Sequence, residues 1–175
     1  MSGTARSDIT SSADGEVVPQ LNAALNEFFQ VDLQLLLIDA SERAICGALS
    51  RHLATQYPDH DVDVEYNRFG EQDLKRLSLP SGCEVKDRSV YPDIIVHKRS
   101  GTENVLVIEV KKRRSADPAS YRRAVAFDLE KLASYRVQLG HKYAYFIELP
   151  VGPAASREDV LFSPARDVLV DPLQE

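Results

Sequence analysis

The sequence predicts an α/β domain in which a helix, three strands, a second helix and a last strand share one sheet. Three observations carry this. Residues 91–114, YPDIIVHKRSGTENVLVIEVKKRR, hold two runs crowded with β-branched residues on either side of Ser100 and Gly101, the pattern of a β-hairpin. Ahead of the hairpin, Ile45, Cys46, Leu49 and Leu53 recur at helical spacing. Behind it, Asp117-Pro118 opens a helix as N-cap and first residue, Gly140 stops it, and the apolar run YAYFIEL over 143–149 reads as a strand.

Taken in order, residues 1–18 are rich in Ser, Thr, Gly and Asp without apolar period and read as a flexible tail. A domain over 19–150 follows, with 151–175 as an extension packing on it. Leu21, Ala24, Leu25, Phe28 and Phe29 mark a first helix, and Leu33 with 35–38 either continue it or turn away. The helix containing Ile45 is capped by Asp39 or Ser41 and ends before Pro58. Residues 62–69, VDVEYNRF, alternate as one strand, and 70–90 form a long polar connection. The later helix runs through Val125, Leu129, Leu132 and Tyr135 to Leu139. Near the C-terminus, 160–162 and 168–170 are short apolar runs suited to added strands or edge cover.

Composition narrows the function. With 175 residues, 43% of them hydrophobic, the chain supports one core. It lacks an apolar run long enough to cross a bilayer, and its first residues lack the apolar stretch of a secretory signal, so a cytoplasmic protein is expected. Cys46 and Cys83 have neither CxxC spacing nor a nearby histidine, and read as reduced thiols. The net charge of −6 excludes indiscriminate coating of nucleic acid. Yet between His97 and Arg123 eight Lys or Arg face only Glu103, Glu109 and Asp117, a local +5 in an otherwise acidic chain.

The chemistry is concentrated on the hairpin. A turn centred on Gly101 pairs residues whose numbers sum to 202, which sets Asp93 opposite Glu109. Directly opposed side chains have Cβ atoms about 4.5–5.5 Å apart, and like charges there destabilise a sheet unless a cation lies between them. A divalent ion resolves that conflict, and Lys111 does so more weakly. Glu109 and Lys111 are expected on one face with Val105 and Val107, and Asp93 on one face with His97. Glu42 sits at the top of the buried stripe of its helix, either as a further acid of the site or as a favourable charge at the positive end of the helix dipole. His97 near the turn and His52 on its helix are expected to be solvated, and His141 to place a charge at a helix C-terminus. Tyr121 and Tyr135 are candidates for stacking on bases, with core packing as the other reading of Tyr135.

The ordered set of Glu42, Pro92-Asp93 and Glu109-Val110-Lys111 resembles the PD-(D/E)xK nuclease superfamily over about Ser41 to Leu149. The spacing Asp128-x-x-Lys131-Leu132-x-x-Tyr135 is similar to that of its small bacterial restriction-endonuclease-like members. The resemblance implies a restriction-endonuclease-like core, with a central mixed sheet flanked by helices. It implies Asp93, Glu109 and Lys111 as catalytic residues. It also implies Mg²⁺, with Mn²⁺ as a substitute, on Asp93, Glu109, the carbonyl of Val110 and Glu42; a hard cation that prefers oxygen ligands suits that set. Lys112, Arg113, Arg114 and Lys131 are expected to hold a polynucleotide backbone without reading its sequence. The expected function is endo- or exonucleolytic hydrolysis of DNA phosphodiesters, in phage defence or repair, by a homodimer or a subunit of a larger complex, with RNA as the other polynucleotide the chain could bind. A non-enzymatic module of the same fold, binding a protein partner, is the alternative.

Overall fold

The computed structural model describes residues 17–69, 73–74, 77, 79, 91–113 and 117–165. The expected tail up to Glu16, most of the 70–90 connection, Cys83, Arg114 and residues 168–170 lie outside the described residues.

Helix α1, Val18–Val31, buries Leu21, Ala24, Leu25 and Phe28, one stripe at three- and four-residue spacing. The continuation left open by the sequence is resolved at Asp32, where the chain leaves helical geometry before a short α2, Leu33–Leu37. His52 anchors that break, with Nε2 2.7 Å from Asp32 Oδ2, so it is a largely buried contact rather than a solvated surface residue. Helix α3, Glu42–Gln56, starts at Ser41, whose Oγ accepts from the Ala44 N–H at 3.2 Å, and its stripe Ile45, Cys46, Leu49 and Leu53 faces the sheet.

The stretch expected to be one strand over 62–69 is two. β1, Asp61–Val64, ends at Glu65, which has a φ of +52°, a left-handed conformation that breaks the alternation and turns the chain out of the sheet. β2, Arg68–Phe69, then pairs with β3, Asp73–Leu74, as a separate ribbon.

The hairpin is β4, Ile94–His97, and β5, Asn104–Lys112. Its register at Ile94, Ile95 and Val96 sums to 202 as expected, but His97 pairs with Asn104, so a bulge lies between Val96 and His97. The bulge changes which face the first residues of β5 present. Val105 packs with α1 and α3 while Val107 faces the other side, so Val105 does not share the face of Glu109. Asn104 instead reaches the opposite helix and donates from Nδ2 to the Leu139 carbonyl at 2.7 Å. His97 is buried, 2.9 Å from Asp63 Oδ2 and against the ring of Tyr66, and is not solvated.

Helix α4, Pro118–Leu139, matches its expected bounds. Asp117 accepts from Ala119 and Ser120 N–H, and Gly140 ends the helix with φ +68°. The basic residue of its last turn is Arg136, while His141 lies buried beside Tyr135. β6, Tyr143–Leu149, runs parallel to β5, as a strand connected through a helix can. After a 3₁₀ turn over Arg157–Asp159, β7, Leu161–Pro164, pairs antiparallel with β6. The five-stranded mixed sheet therefore has the order β1-β4-β5-β6-β7. Its inner strands are buried on both faces, with Ile94, Val96, Ile108 and Ile147 toward α1 and α3, and Ile95, Val107, Ala144 and Phe146 toward α4.

No helix is long and apolar enough to cross a membrane among the described residues. Gly140→Ala forces a Cβ into left-handed backbone and is expected to lower stability by about 1–2 kcal/mol. Leu49→Ala, in the close-packed interface of α3, is expected to cost about 2–5 kcal/mol. Chemical denaturation of the two variants checks this; equal midpoints for both and the parent chain contradict the packing described.

Candidate active site

The site forms where the β4–β5 ladder stops. Continuing its register assigns position 92 to Val110, and position 92 is a proline with no N–H to donate. The Pro92 carbonyl is turned the other way, toward the Glu65 N–H at 3.1 Å. The Val110 N–H donates instead to Asp93 Oδ2 at 2.7 Å. Because a residue's N–H and C=O leave an antiparallel strand on the same side, the Val110 carbonyl also faces this edge, without a ladder donor. The next N–H on the edge, that of Lys112, donates to Glu42 Oε2 at 3.4 Å. Asp93 and Glu42 thus bracket a carbonyl that has no ladder donor, although Asp93 precedes the strand rather than lying on it.

The α4 face of the same strand carries the rest. Glu109 is 2% exposed, and its Oε2 accepts from Lys131 Nζ at 2.7 Å, while Oε1 has no donor among the described residues. Lys131 also lies 3.0 Å from Asp128 Oδ1, and Lys111 Nζ lies 2.8 Å from Asp128 Oδ2. Beyond Lys111, Glu148 of β6 binds the Tyr121 hydroxyl and Arg113 Nε. Asp128 entered the sequence reading only through its spacing to Lys131, with no role in the site, and Glu148 did not enter at all. Asp128 had a legible signal, since it sits three residues before Lys131 and so on the same helical face; Glu148 had none beyond being an acid in an apolar strand.

Charge in this pocket is held against the dielectric. Burial, then the neighbouring charge of Glu42, push the Asp93 carboxyl up to about 6 against the pull of the Val110 N–H. Burial, followed by the charge of Asp93, pushes Glu109 up to about 8 although Lys131 pulls it down. Burial works against the charge of both lysines, but the hydrogen bonds and charge of Asp128 keep Lys111 protonated beyond its ordinary range, and Glu109 and Asp128 do the same for Lys131. Cys46, buried under the acids, is held up first by burial and then by Asp93, Glu42 and Glu109. It is a neutral thiol rather than a nucleophile. A cleft of about 380 Å³ opens onto Glu42, Cys46, Val64 and Asp93, with the exposed Arg43–Glu65 ion pair among its lining residues.

Of the basic residues expected along a polynucleotide, Lys112 is buried, its Nζ 2.6 Å from Asp39 Oδ1 and 2.7 Å from the Ala40 carbonyl. It clamps the α2–α3 loop to β5 and is not available to a phosphate. Arg113 is bound to Glu148 and to the Asp159 carbonyl, and Lys131 belongs to the acid cluster. Tyr135 is fully buried, which removes it as a stacking platform, and Tyr121 is engaged by Glu148.

Among the described residues no three His, Cys, Asp or Glu converge as a finished metal site. Lys131 holds Glu109 toward α4. In chemical type the donors nonetheless suit a hard divalent cation: carboxylate oxygens of Asp93 and Glu42, the buried Oε1 of Glu109 that has no partner among the described residues, and the Val110 carbonyl that has no ladder donor. No family model, curated protein or solved structure matches the chain significantly.

The carboxyl of Asp93 gives a sign for pH dependence. Its folded value lies above the ordinary 3.8, so the folded state holds the proton more tightly, and stability present below that value is lost as pH rises toward about 6. Asp93→Asn keeps an acceptor for the Val110 N–H without the charge. Its unfolding free energy is expected to match the parent near the lower value and to exceed it above the upper one, by an amount on the order of 1–3 kcal/mol, with the melting temperature shifted upward accordingly. A difference independent of pH, read by melts across that window in chelator, contradicts this.

Proposed function

We propose that the protein is a divalent-metal-dependent phosphodiesterase acting on DNA, with a restriction-endonuclease-like core. The observation that carries the reading is the Val110 carbonyl, which has no ladder donor because a proline stands opposite, bracketed by Asp93 and Glu42 and next in sequence to a buried Glu109 whose second oxygen lacks a donor among the described residues. Isolated surface ion pairs leave no such gap. The sequential order of helix, strand, hairpin, helix and parallel strand, with acids at the end of the hairpin ladder, supports the same reading.

In this reading Asp93, Glu109, Glu42 and the Val110 carbonyl hold Mg²⁺ or Mn²⁺. A metal there supplies a more acidic water and neutralises charge on the scissile phosphate. Lys111, at the rim and about a quarter exposed, places its ammonium next to the same phosphate or orients the attacking water. Asp128 keeps Lys111 aimed and protonated, so it is a positioning residue. Lys131 supplies an internal positive charge that lets Asp93, Glu109 and Asp128 share one pocket.

One observation favours the alternative of a non-enzymatic module. Lys131 lies between Glu109 and Asp128, as a structural counter-charge would. The two readings separate by experiment. Purified protein is expected to cleave linear, nicked or single-stranded DNA in Mg²⁺ or Mn²⁺, and Asp93→Ala and Lys111→Ala each to lower the rate by about 10²–10⁴. Mg²⁺ is also expected to raise the melting temperature of the parent chain and not of Asp93→Ala. Cleavage that survives both substitutions rejects the site; neither cleavage nor a metal-dependent shift leaves the module as the reading.

A further inference from the structure

Arg123, Phe127 and Lys131 stand at four-residue intervals on α4, so they form one stripe with about 6 Å of helix axis between neighbours. Its inner end is the acid cluster, since Lys131 Nζ is 2.7 Å from Glu109 Oε2 and 5.7 Å from the centroid of the Phe127 ring. Its outer end is open, with Phe127 44% exposed and Arg123 exposed. On the hairpin side of the cluster, Tyr91 is 54% exposed two residues before Asp93. Among the described residues, Tyr91 and Phe127 are the two aromatics in the set of exposed large apolar side chains, and both flank the acids.

The supply of cations argues against a duplex. A face that tracks double-stranded DNA relies on many phosphate contacts from Lys and Arg. Around this cluster Lys111, Lys112, Arg113 and Lys131 are each held by carboxylates or carbonyls of the chain itself. An exposed ring one helical turn from an exposed Arg123 suits instead an unpaired strand, in which a base is free to stack and the adjoining phosphate meets positive charge.

We infer that the α4 stripe is a track for a single-stranded polynucleotide. One base stacks on Phe127, a phosphate meets Arg123, and the strand enters the acid cluster past Lys131. The fate of the bound strand rests on the nuclease reading; its binding does not.

Fluorescence anisotropy tests this in EDTA, where metal-dependent cleavage is absent, with a labelled oligothymidylate of about 15 nucleotides and a blunt duplex of equal length. The single strand is expected to bind at least about 10-fold more tightly than the duplex. Phe127→Ala is expected to lose about 5- to 100-fold on the single strand, with Phe127→Trp retaining it. Arg123→Ala is expected to flatten the salt dependence. Phe127 is exposed, so its substitution should leave the melting temperature unchanged, and that measurement guards against misfolding. Equal affinity for strand and duplex, or full affinity in Phe127→Ala, overturns the track. If DNA is nevertheless cleaved, the nuclease reading stands without it. If Phe127-dependent binding persists while no nucleic acid is cut in Mg²⁺ or Mn²⁺, the track stands and the nuclease reading falls.

Discussion

A ladder of backbone hydrogen bonds ends where a residue cannot donate, and in this fold that residue is Pro92. Two strands paired to their ends would leave no polar backbone group for a ligand. Stopping β4 one step short of Val110 leaves an N–H and a carbonyl without ladder partners in the middle of a sheet whose inner strands are buried on both faces. Asp93 takes the N–H, and the carbonyl remains. The next backbone N–H, on Lys112, is met by Glu42, while the side chain of that same lysine holds the loop from which α3 starts. Backbone and side chain of one residue therefore fix the helix that carries the second acid. Truncating such a buried, multiply bonded ammonium leaves its partners unsatisfied, which is costlier than losing a surface pair.

The acids and lysines on the α4 face are a second constraint, in tension with the first. Burial that orders the cluster also raises the carboxyls of Asp93 and Glu109, so neutral pH finds groups that are least comfortable when ionised. Lys131 relieves part of this, but its single ammonium reaches one oxygen of Glu109 and one of Asp128.

Much of this was readable from the sequence because the signals were local. Asp117-Pro118 and Gly140 bound α4 through cap geometry that involves a few adjacent residues, and β-branched runs around Ser100-Gly101 identify the hairpin. The register at the end of the hairpin near Asp93 followed from turn position, because burial on both faces makes a slip costly there. What escaped depends on non-local contacts. Glu65 adopts left-handed backbone while its N–H meets Pro92, which no alternation over 62–69 reveals. His52, largely buried, and His97, buried, are held by Asp32 and Asp63, partners 20 and 34 residues away. Lys112 and Arg113 look like part of a basic band in one dimension, whereas in three dimensions Asp39 and Glu148 absorb them. Asp93, Glu109, Lys111 and Glu42 were legible as an ordered set around the hairpin, as was the spacing of Asp128 and Lys131, but the contacts of those two with Lys111 and Glu109 came only with the docking of α4.

The bulge near the tip of the hairpin separates two histories of the same strand. At the Ile94 end, pairing is locked by layers above and below. At the His97 end, one additional residue on β5 resets the alternation, turning Val105 to one layer and Asn104 to the other, where it grips the last carbonyl of α4. The strand thus works as an adaptor: its far end follows the helix, its near end follows the acids, and the added residue absorbs the mismatch. A change in the length of the connecting turn is accommodated on the far side of that adaptor, so a longer loop would leave the spacing of the carboxylates unchanged.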